Sequence, residues 1–317
     1  MTATTPRLGA FSHATVGVAD LAKAIAFWTG IFGFEVTGRR DGPDAGLATL
    51  WGLKAGDITR QALLRTPRAT AGAIHLVEFA RPGAPVRANA RVFDHLPKNL
   101  DVYTDDMDRR FEELRAKGMQ FRSKPITSPG PAGMSFKEVH LPGHDETNVV
   151  LLQIIGKGYE TCYSSRGFAG IGPLITIVGS LKNEEDFYRT VLGLEVTLDI
   201  RIGGPVMEKL IGLPAGAALL LKVYGDPAEP LGRVEVIEYE RTVGTNLFER
   251  AHAPALGTLH VSYQVADLHA LRQRLREAKV PVTEHGGLTL LYGAGAVISF
   301  KSPAGFRIEV QQSRAAR

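Results

Sequence analysis

The stretch Val18-Ala19-Asp20-Leu21, followed by Phe27-Trp28 and then Phe32-Gly33-Phe34-Glu35-Val36, returns 160 residues later as Val178-Gly179-Ser180-Leu181, Phe187-Tyr188 and Leu192-Gly193-Leu194-Glu195-Val196. The same offset runs on through Trp51-Gly52-Leu53 against Ile211-Gly212-Leu213, and through Val77-Glu78-Phe79 against Ile237-Glu238-Tyr239. Chance similarity does not hold one offset over roughly sixty residues. A second pair, offset by 161, matches Asp106-Met107-Asp108 and Leu114 with Asp267-Leu268-His269 and Leu275. Each copy reads as a short strand, a polar turn with a helix-capping residue (Asp20, Asp106, Ser180 or Asp267), an amphipathic helix and further short strands. In the last copy Leu268, Leu271 and Leu275 share one helical face. The sequence therefore predicts an α+β chain of four βαβββ modules, at 8–82, 96–154, 169–242 and 256–312, with linkers Arg81–Pro97, Ile155–Gly172 and Thr242–Gly257. The repeat divides the chain into two expected domains, 1–156 and 157–317.

Bulk composition narrows the function. Of 317 residues, 44% are hydrophobic and 22% charged, which suits globular domains with short unstructured tails at Met1–Arg7 and Ser313–Arg317. The net charge of +4 comes without any Lys/Arg run, which speaks against nucleic-acid binding and leaves an anionic substrate open. No apolar stretch reaches the ~20 residues of a membrane span, and the N-terminus lacks a secretory pattern. Cys162 is the only cysteine, so no internal disulfide forms and a reducing, cytoplasmic setting is expected. Phosphate-binding loops are absent. Gly212-Leu213-Pro214-Ala215-Gly216 lies within the repeat and reads as a turn.

The order strand, capping residue, helix, aromatic pair and Leu/Phe-Gly-Leu/Phe resembles the glyoxalase/bleomycin-resistance/extradiol-dioxygenase (vicinal oxygen chelate) superfamily over nearly the whole chain. That resemblance implies paired modules curled into cups of about eight strands. It also implies one divalent metal inside, held from the first and last strands of a module. Carried onto this sequence, the first-strand position lies seven residues before the capping residue. This gives His13 in module one and His260 in module four, with Glu78 and Glu309 at the last strands. The same rule gives Asn99 and an apolar residue near Leu151 in module two, and Pro173 and Glu238 in module three. The implied arrangement is a single site shared by modules one and four, and a cup without metal ligands between modules two and three.

Strand parity is an independent guide, because side chains alternate faces. His13 sides with Thr15 and Gly17, His260 with Ser262 and Gln264, and Glu309 with Arg307 and Gln311, all on polar faces. Glu78 shares its face with Ile74 and Leu76, and His75 lies on the opposite one. A lone strand histidine is usually a hydrogen-bonded structural residue; recurrence at one repeat position is what favours ligation here.

Imidazole and carboxylate donors suit Fe, Mn, Ni, Co or Zn as divalent ions. Two His and two Glu leave two adjacent positions for vicinal oxygens of a substrate. The metal would then act as a Lewis acid toward an enediolate or enolate, as in a glyoxalase-like isomerase or lyase, with Glu78 and Glu309 as the catalytic carboxylates. The first alternative is an Fe(II) extradiol or hydroquinone-type ring-cleaving dioxygenase. Against it, the tyrosine that such enzymes carry about ten residues before the final Glu is Ser299 here, although Tyr292 could substitute for it. The second alternative is a ligand-sequestering protein without chemistry. Arg307, Tyr292 and His285 are the expected contacts of a small, oxygen-rich substrate, aromatic or carboxylated. Both monomer and homodimer are compatible with four modules in one chain.

Overall fold

The computed structural model describes residues 8–156 and 161–312. The expected tails, Met1–Arg7 and Ser313–Arg317, and Tyr159 and Glu160 of the middle linker lie outside the described residues. Module one comprises β1 (His13–Val18), α1 (Leu21–Phe27), β2 (Glu35–Asp41), α2 (Ala45–Trp51), β3 (Ile58–Arg65) and β4 (Ala73–Phe79). Module two comprises β5 (Pro97–Thr104), α3 (Met107–Ala116), β6 (Ile126–Pro129), β7 (Ser135–Pro142) and β8 (Asn148–Ile155). Module three repeats the first as β9 (Phe168–Ile177), α4 (Leu181–Asp186), β10 (Glu195–Gly203), α5 (Pro205–Ile211), β11 (Ala218–Gly225) and β12 (Arg233–Tyr239). Module four comprises β13 (Gly257–Val265), α6 (His269–Glu277), β14 (Thr283–Leu290), β15 (Gly293–Lys301) and β16 (Arg307–Gln312).

The capping residues act as the sequence implies in three modules: Asp20, Asp106 and Ser180 accept from the amides of Lys23, Arg109 and Asn183. In module four the helix starts one residue later, and Asp267 accepts from the amide of His269 instead.

In every module the first strand lies parallel beside the last. The eight-stranded sheets run β14-β15-β16-β13-β1-β4-β3-β2 and β10-β11-β12-β9-β5-β8-β7-β6. Module one thus joins module four, and module two joins module three. A division into structural units at residue 156 therefore holds for the repeat and not for the sheets: the second cup is inserted between the two modules of the first. The connections that cross between cups run side by side, bridged at Pro85 with Leu256 and at His95 with Asn246. Convex faces and helices share one apolar core, in which Val16, Leu100, Leu174 and Val261 meet Leu21, Leu114, Leu181 and Leu275.

A ring of four backbone hydrogen bonds fastens the cups together. Phe11 N donates to Gly232 O (2.7 Å), Gly232 N to Ile171 O (2.9 Å), Ile171 N to Gly72 O (2.9 Å) and Gly72 N to Phe11 O (3.1 Å). Phe11 with Ile171, and Gly72 with Gly232, are repeat mates 160 residues apart. Both glycines have left-handed backbones, φ +66° and +74°. A Cβ would stand 2.3 Å from Ile171 O at Gly72 and 2.5 Å from Phe11 O at Gly232. Only glycine satisfies both constraints.

Gly72→Ala and Gly232→Ala should each destabilise the protein by about 2–4 kcal/mol, since left-handed strain and a backbone clash add. Urea unfolding measures this, and a loss within error of zero for either variant would show that the ring yields freely.

Candidate metal centre

Four consecutive strands of the first cup, β16, β13, β1 and β4, bring Glu309, His260, His13 and His75 together on the concave face. Their placement follows from register: Thr15 lies opposite His260 across β1 and β13 and opposite His75 across β1 and β4, and Ser262 pairs with both His13 and Glu309. All four side chains are buried. The His13 and His75 rings are 5.4 Å apart, and His260 Nε2 lies 3.4 Å from Glu309 Oε2.

Hydrogen bonds behind the histidines fix which nitrogen faces inward. Ser12 Oγ donates to Ser262 O at 2.8 Å, so it accepts from His13 Nδ1 at 3.0 Å. The His13 proton is therefore on Nδ1, and Nε2 presents a lone pair. Gln61 Nε2 donates to Asp44 at 2.7 Å, which orients the Gln61 carbonyl to accept from His75 Nε2 at 2.8 Å. His75 thus presents a bare Nδ1. Asp44 is itself fixed, capping α2 through the Leu47 amide and pairing with Arg40. On the carboxylate, Glu309 Oε1 accepts from Trp51 Nε1 at 3.0 Å and from Arg307 Nε at 2.9 Å, leaving Oε2 to face His260.

Burial, reinforced by neighbouring imidazoles, lowers His13 far below the ordinary histidine value. Burial and then His260 lower His75 to about 3. Both are neutral imidazoles at neutral pH. Burial alone would raise the Glu309 carboxyl, but His260 and Arg307 outweigh it and hold it well below the usual carboxylate range. Burial, followed by Glu309 and Asp44, pushes the Tyr292 phenol far up, so it stays protonated.

Among the described residues, no group of three or more His, Cys, Asp or Glu side chains is arranged to hold a metal ion. The chemistry of the inward donors nevertheless suits one. His13 Nε2, His75 Nδ1, His260 Nε2 and Glu309 Oε2 are all buried without a hydrogen-bond partner. Four such atoms crowded in one cup carry a desolvation penalty that a cation would offset.

Glu78 does not belong to this cluster, a correction to both its expected ligand role and its expected catalytic role. Its carboxylate accepts from the Leu21 amide at 2.8 Å and pairs with Arg60 on the convex side. Burial would raise it, but Arg60 and the Leu21 amide hold it below the ordinary glutamate value. Its repeat mate Glu238 makes the same bond to the Leu181 amide at 2.8 Å. This position is a helix anchor in both modules. His75, three residues earlier, is the inward residue, on the face of Val77 and Phe79 that packs inside the cup. The signal was the parity of β4: Ile74 and Leu76, on the face of Glu78, belong to the convex core.

Of the expected substrate contacts, Tyr292 lies over the histidines, its ring 4.3 Å from His13 and 5.3 Å from His75. Arg307 reaches the site but directs its guanidinium to Glu309 and to Leu50 O. His285 pairs with Val297 on the concave side of β14, two strands from Glu309, and its Nε2 is buried without a partner. Ser299 sits directly opposite Glu309. Trp51, Gln61, Asp44 and Ser12 are site residues that no motif pointed to, because their roles come from strand register and from α2 folding into the cup.

A cupped four-module protein with a His/Glu cluster on adjoining strands is the class that fold and site define. The chain belongs to the Glyoxalase/Bleomycin resistance protein/Dioxygenase superfamily, whose profile matches residues 10–140 and 170–310. Its fold is similar to that of glyoxalase I from Zea mays, with 16% identity, TM-score 0.61, and coverage of 95% of this chain and 92% of that one. A single-site variant of the maize enzyme gives 17% identity, TM-score 0.64 and the same coverage. A protein of Bacillus subtilis subsp. subtilis str. 168, whose description proposes a dioxygenase, gives 11%, 0.61, 96% and 85%. No protein of curated function matches the sequence. No helix among the described residues is long and apolar enough to cross a membrane.

Glu78→Gln and Glu238→Gln should each lower stability by about 1–2 kcal/mol, the scale of a lost charged cap, with divalent-metal content equal to that of the parent protein. A drop in metal content in Glu78→Gln alone would return this residue to the site. In chelator-treated protein the depressed pKa of His75 has a definite sign. Between about 3 and 6.5 the unfolded chain binds the proton and the folded chain does not. Stability then falls as pH falls across that window, by up to about 1.4 kcal/mol per pH unit for each such histidine. His75→Gln should flatten the slope of stability against pH by about one proton, and an unchanged slope would contradict a buried neutral His75.

Proposed function

We propose that the first cup is a divalent-metal centre of an enzyme acting on a small substrate with vicinal oxygens, by isomerase or lyase chemistry. The observation that carries the reading is the set of four buried donors, with His13 Nε2 and His75 Nδ1 lacking any hydrogen bond and His260 Nε2 and Glu309 Oε2 meeting only each other at 3.4 Å. A divalent ion held there would supply Lewis acidity toward an oxygen of the substrate. Four protein donors on a six-coordinate ion leave two adjacent positions, enough for a chelating substrate and not for dioxygen as well.

The chain's own residues define the rest. Ser12 and the Gln61–Asp44 pair keep the imidazoles in the ligating tautomer. Arg307 and Trp51 hold Glu309 ionised and oriented. Trp51 and Tyr292 cover the cluster and exclude water, and the protonated Tyr292 phenol is a hydrogen-bond donor for substrate oxygen. With Glu78 on the convex side, Glu309 is the one carboxylate of the four donors, so proton transfer in the isomerase reading falls to Glu309.

A second reading, a ring-cleaving dioxygenase, has its own support. His13, His260 and Glu309 alone form a two-His-one-carboxylate set, which leaves a further position for dioxygen if His75 stays behind the metal.

Elemental analysis of protein purified without added metal decides first. A stoichiometric divalent ion is expected, lost in His260→Ala and Glu309→Ala with circular dichroism unchanged, and retained in Asn99→Ala. Ser12→Ala and Gln61→Ala should weaken metal affinity about 10–100-fold, as for residues that orient a ligand. Iron with oxygen uptake on catechols or hydroquinones would establish the second reading. Absence of bound metal under all conditions would sink both.

A further inference from the structure

The second cup has diverged from the first. Pro173 stands at the repeat position of His13, Asn99 at that of His260 and Glu235 at that of His75. Val150 takes the register place of Glu309, since Val149 faces Leu100 as Ile308 faces Val261. Side chains of α2 and the β14–β15 turn fill the first cup, whereas the second encloses a cavity of about 460 Å³, within the range of small-molecule pockets. Its walls are largely apolar, with Ile175, Leu198, Ile200, Met207, Leu219 and Leu221 among them. One side is ionisable and carries Asp101, Glu138, Glu235, Lys98 and Tyr239.

Two cations, Arg233 and Lys98, share the lining with them, and Lys98 acts on all three carboxyls from beyond ion-pair distance. The Lys98 ammonium donates to the Tyr239 hydroxyl at 2.5 Å and stands 4.8 Å from that ring's centre. Among the described residues, none of the three carboxyls has an ion-pair partner. Asp101 is 3% exposed, and its Oδ1 is buried without any hydrogen bond. Burial, followed by mutual repulsion, raises Asp101 well above its ordinary value and Glu235 to about 8, and burial raises Glu138 to about 7. Unpaired carboxyls in an apolar cavity destabilise a fold. Retaining three of them on one wall is the mark of a binding site rather than of a structural core.

We propose that the second cup binds a small apolar amine, with its ammonium seated among Asp101, Glu138 and Glu235 and its hydrocarbon body against the apolar walls. A bound ammonium would favour the ionised form of the three carboxyls, which burial and mutual repulsion disfavour, and neither an anion nor a neutral ligand would do so. The site is independent of the metal centre in the other cup.

Calorimetric titration of the full-length protein with phenethylamine, phenethyl alcohol and phenylacetate tests this. Phenethylamine should bind one-to-one, at least about tenfold more tightly than the alcohol, with phenylacetate weaker still. Glu235→Gln and Asp101→Asn should each weaken amine binding about tenfold or more, and His260→Ala should leave it unchanged. Unliganded Glu235→Gln should be at least as stable as the parent in urea, which a residue buried for structural reasons would not be. Equal binding of amine and alcohol, loss of amine binding in His260→Ala, or no detectable amine binding would each overturn the proposal.

Discussion

The ring of backbone bonds through Phe11, Gly72, Ile171 and Gly232 is the constraint on which the rest of the molecule depends. It joins the chain entering β1 and β4 of one cup to β9 and the chain entering β12 of the other. Each cup places part of its polar cluster on those strands. His13 and His75 follow one pair of ring residues by two and three positions, and Pro173 and Glu235 follow their repeat mates at the same spacing. A backbone fixed this tightly sets strand register, and a one-residue slip would send every inward side chain to the convex face. His13 and His75 of the first cup and Glu235 of the second are therefore set by the same four hydrogen bonds.

Much of this was legible in the sequence. The 160-residue offset predicted four modules because the aromatic pair and the Gly turn recur at fixed distances from a capping residue. The absence of histidine from the ligand positions of the middle modules implied that modules one and four pair, and the sheets do so. What misled was β4. Glu78 repeats as Glu238, and a recurrent glutamate near the end of a last strand resembles a ligand. Its recurrence instead reflects a bond to the first amide of the following helix, which both modules need. Alternation along the strand distinguishes these roles, because the face bearing Ile74 and Leu76 is an apolar packing surface. Trp51 and the Gln61–Asp44 relay were not legible, since they depend on where α2 folds and on pairing between β3 and β4.

The two cups show how one scaffold diverges by filling or emptying its interior. In the first, Leu47, Leu50, Trp51 and Tyr292 pack over the histidines, so polar atoms sit in a dry, well-oriented setting. In the second, residues at comparable places leave an open interior, and the polar groups line a void. Dry orientation suits metal ligation, where neutral imidazoles are required. An apolar void with charges at one end suits a ligand that is itself amphipathic.

The insertion of one cup within the other has a consequence for biosynthesis. His13 and His75 leave the ribosome early, whereas His260 and Glu309 belong to the last module made. Between them, modules two and three complete a sheet of their own. The cavity of the second cup is therefore whole while the first cup has only half its strands, and β1 waits with an unpaired edge until β13 arrives. Completion of the donor set is in this sense the closing event of synthesis: a chain that stops before residue 257 holds two of its histidines on an unfinished sheet and lacks His260 and Glu309.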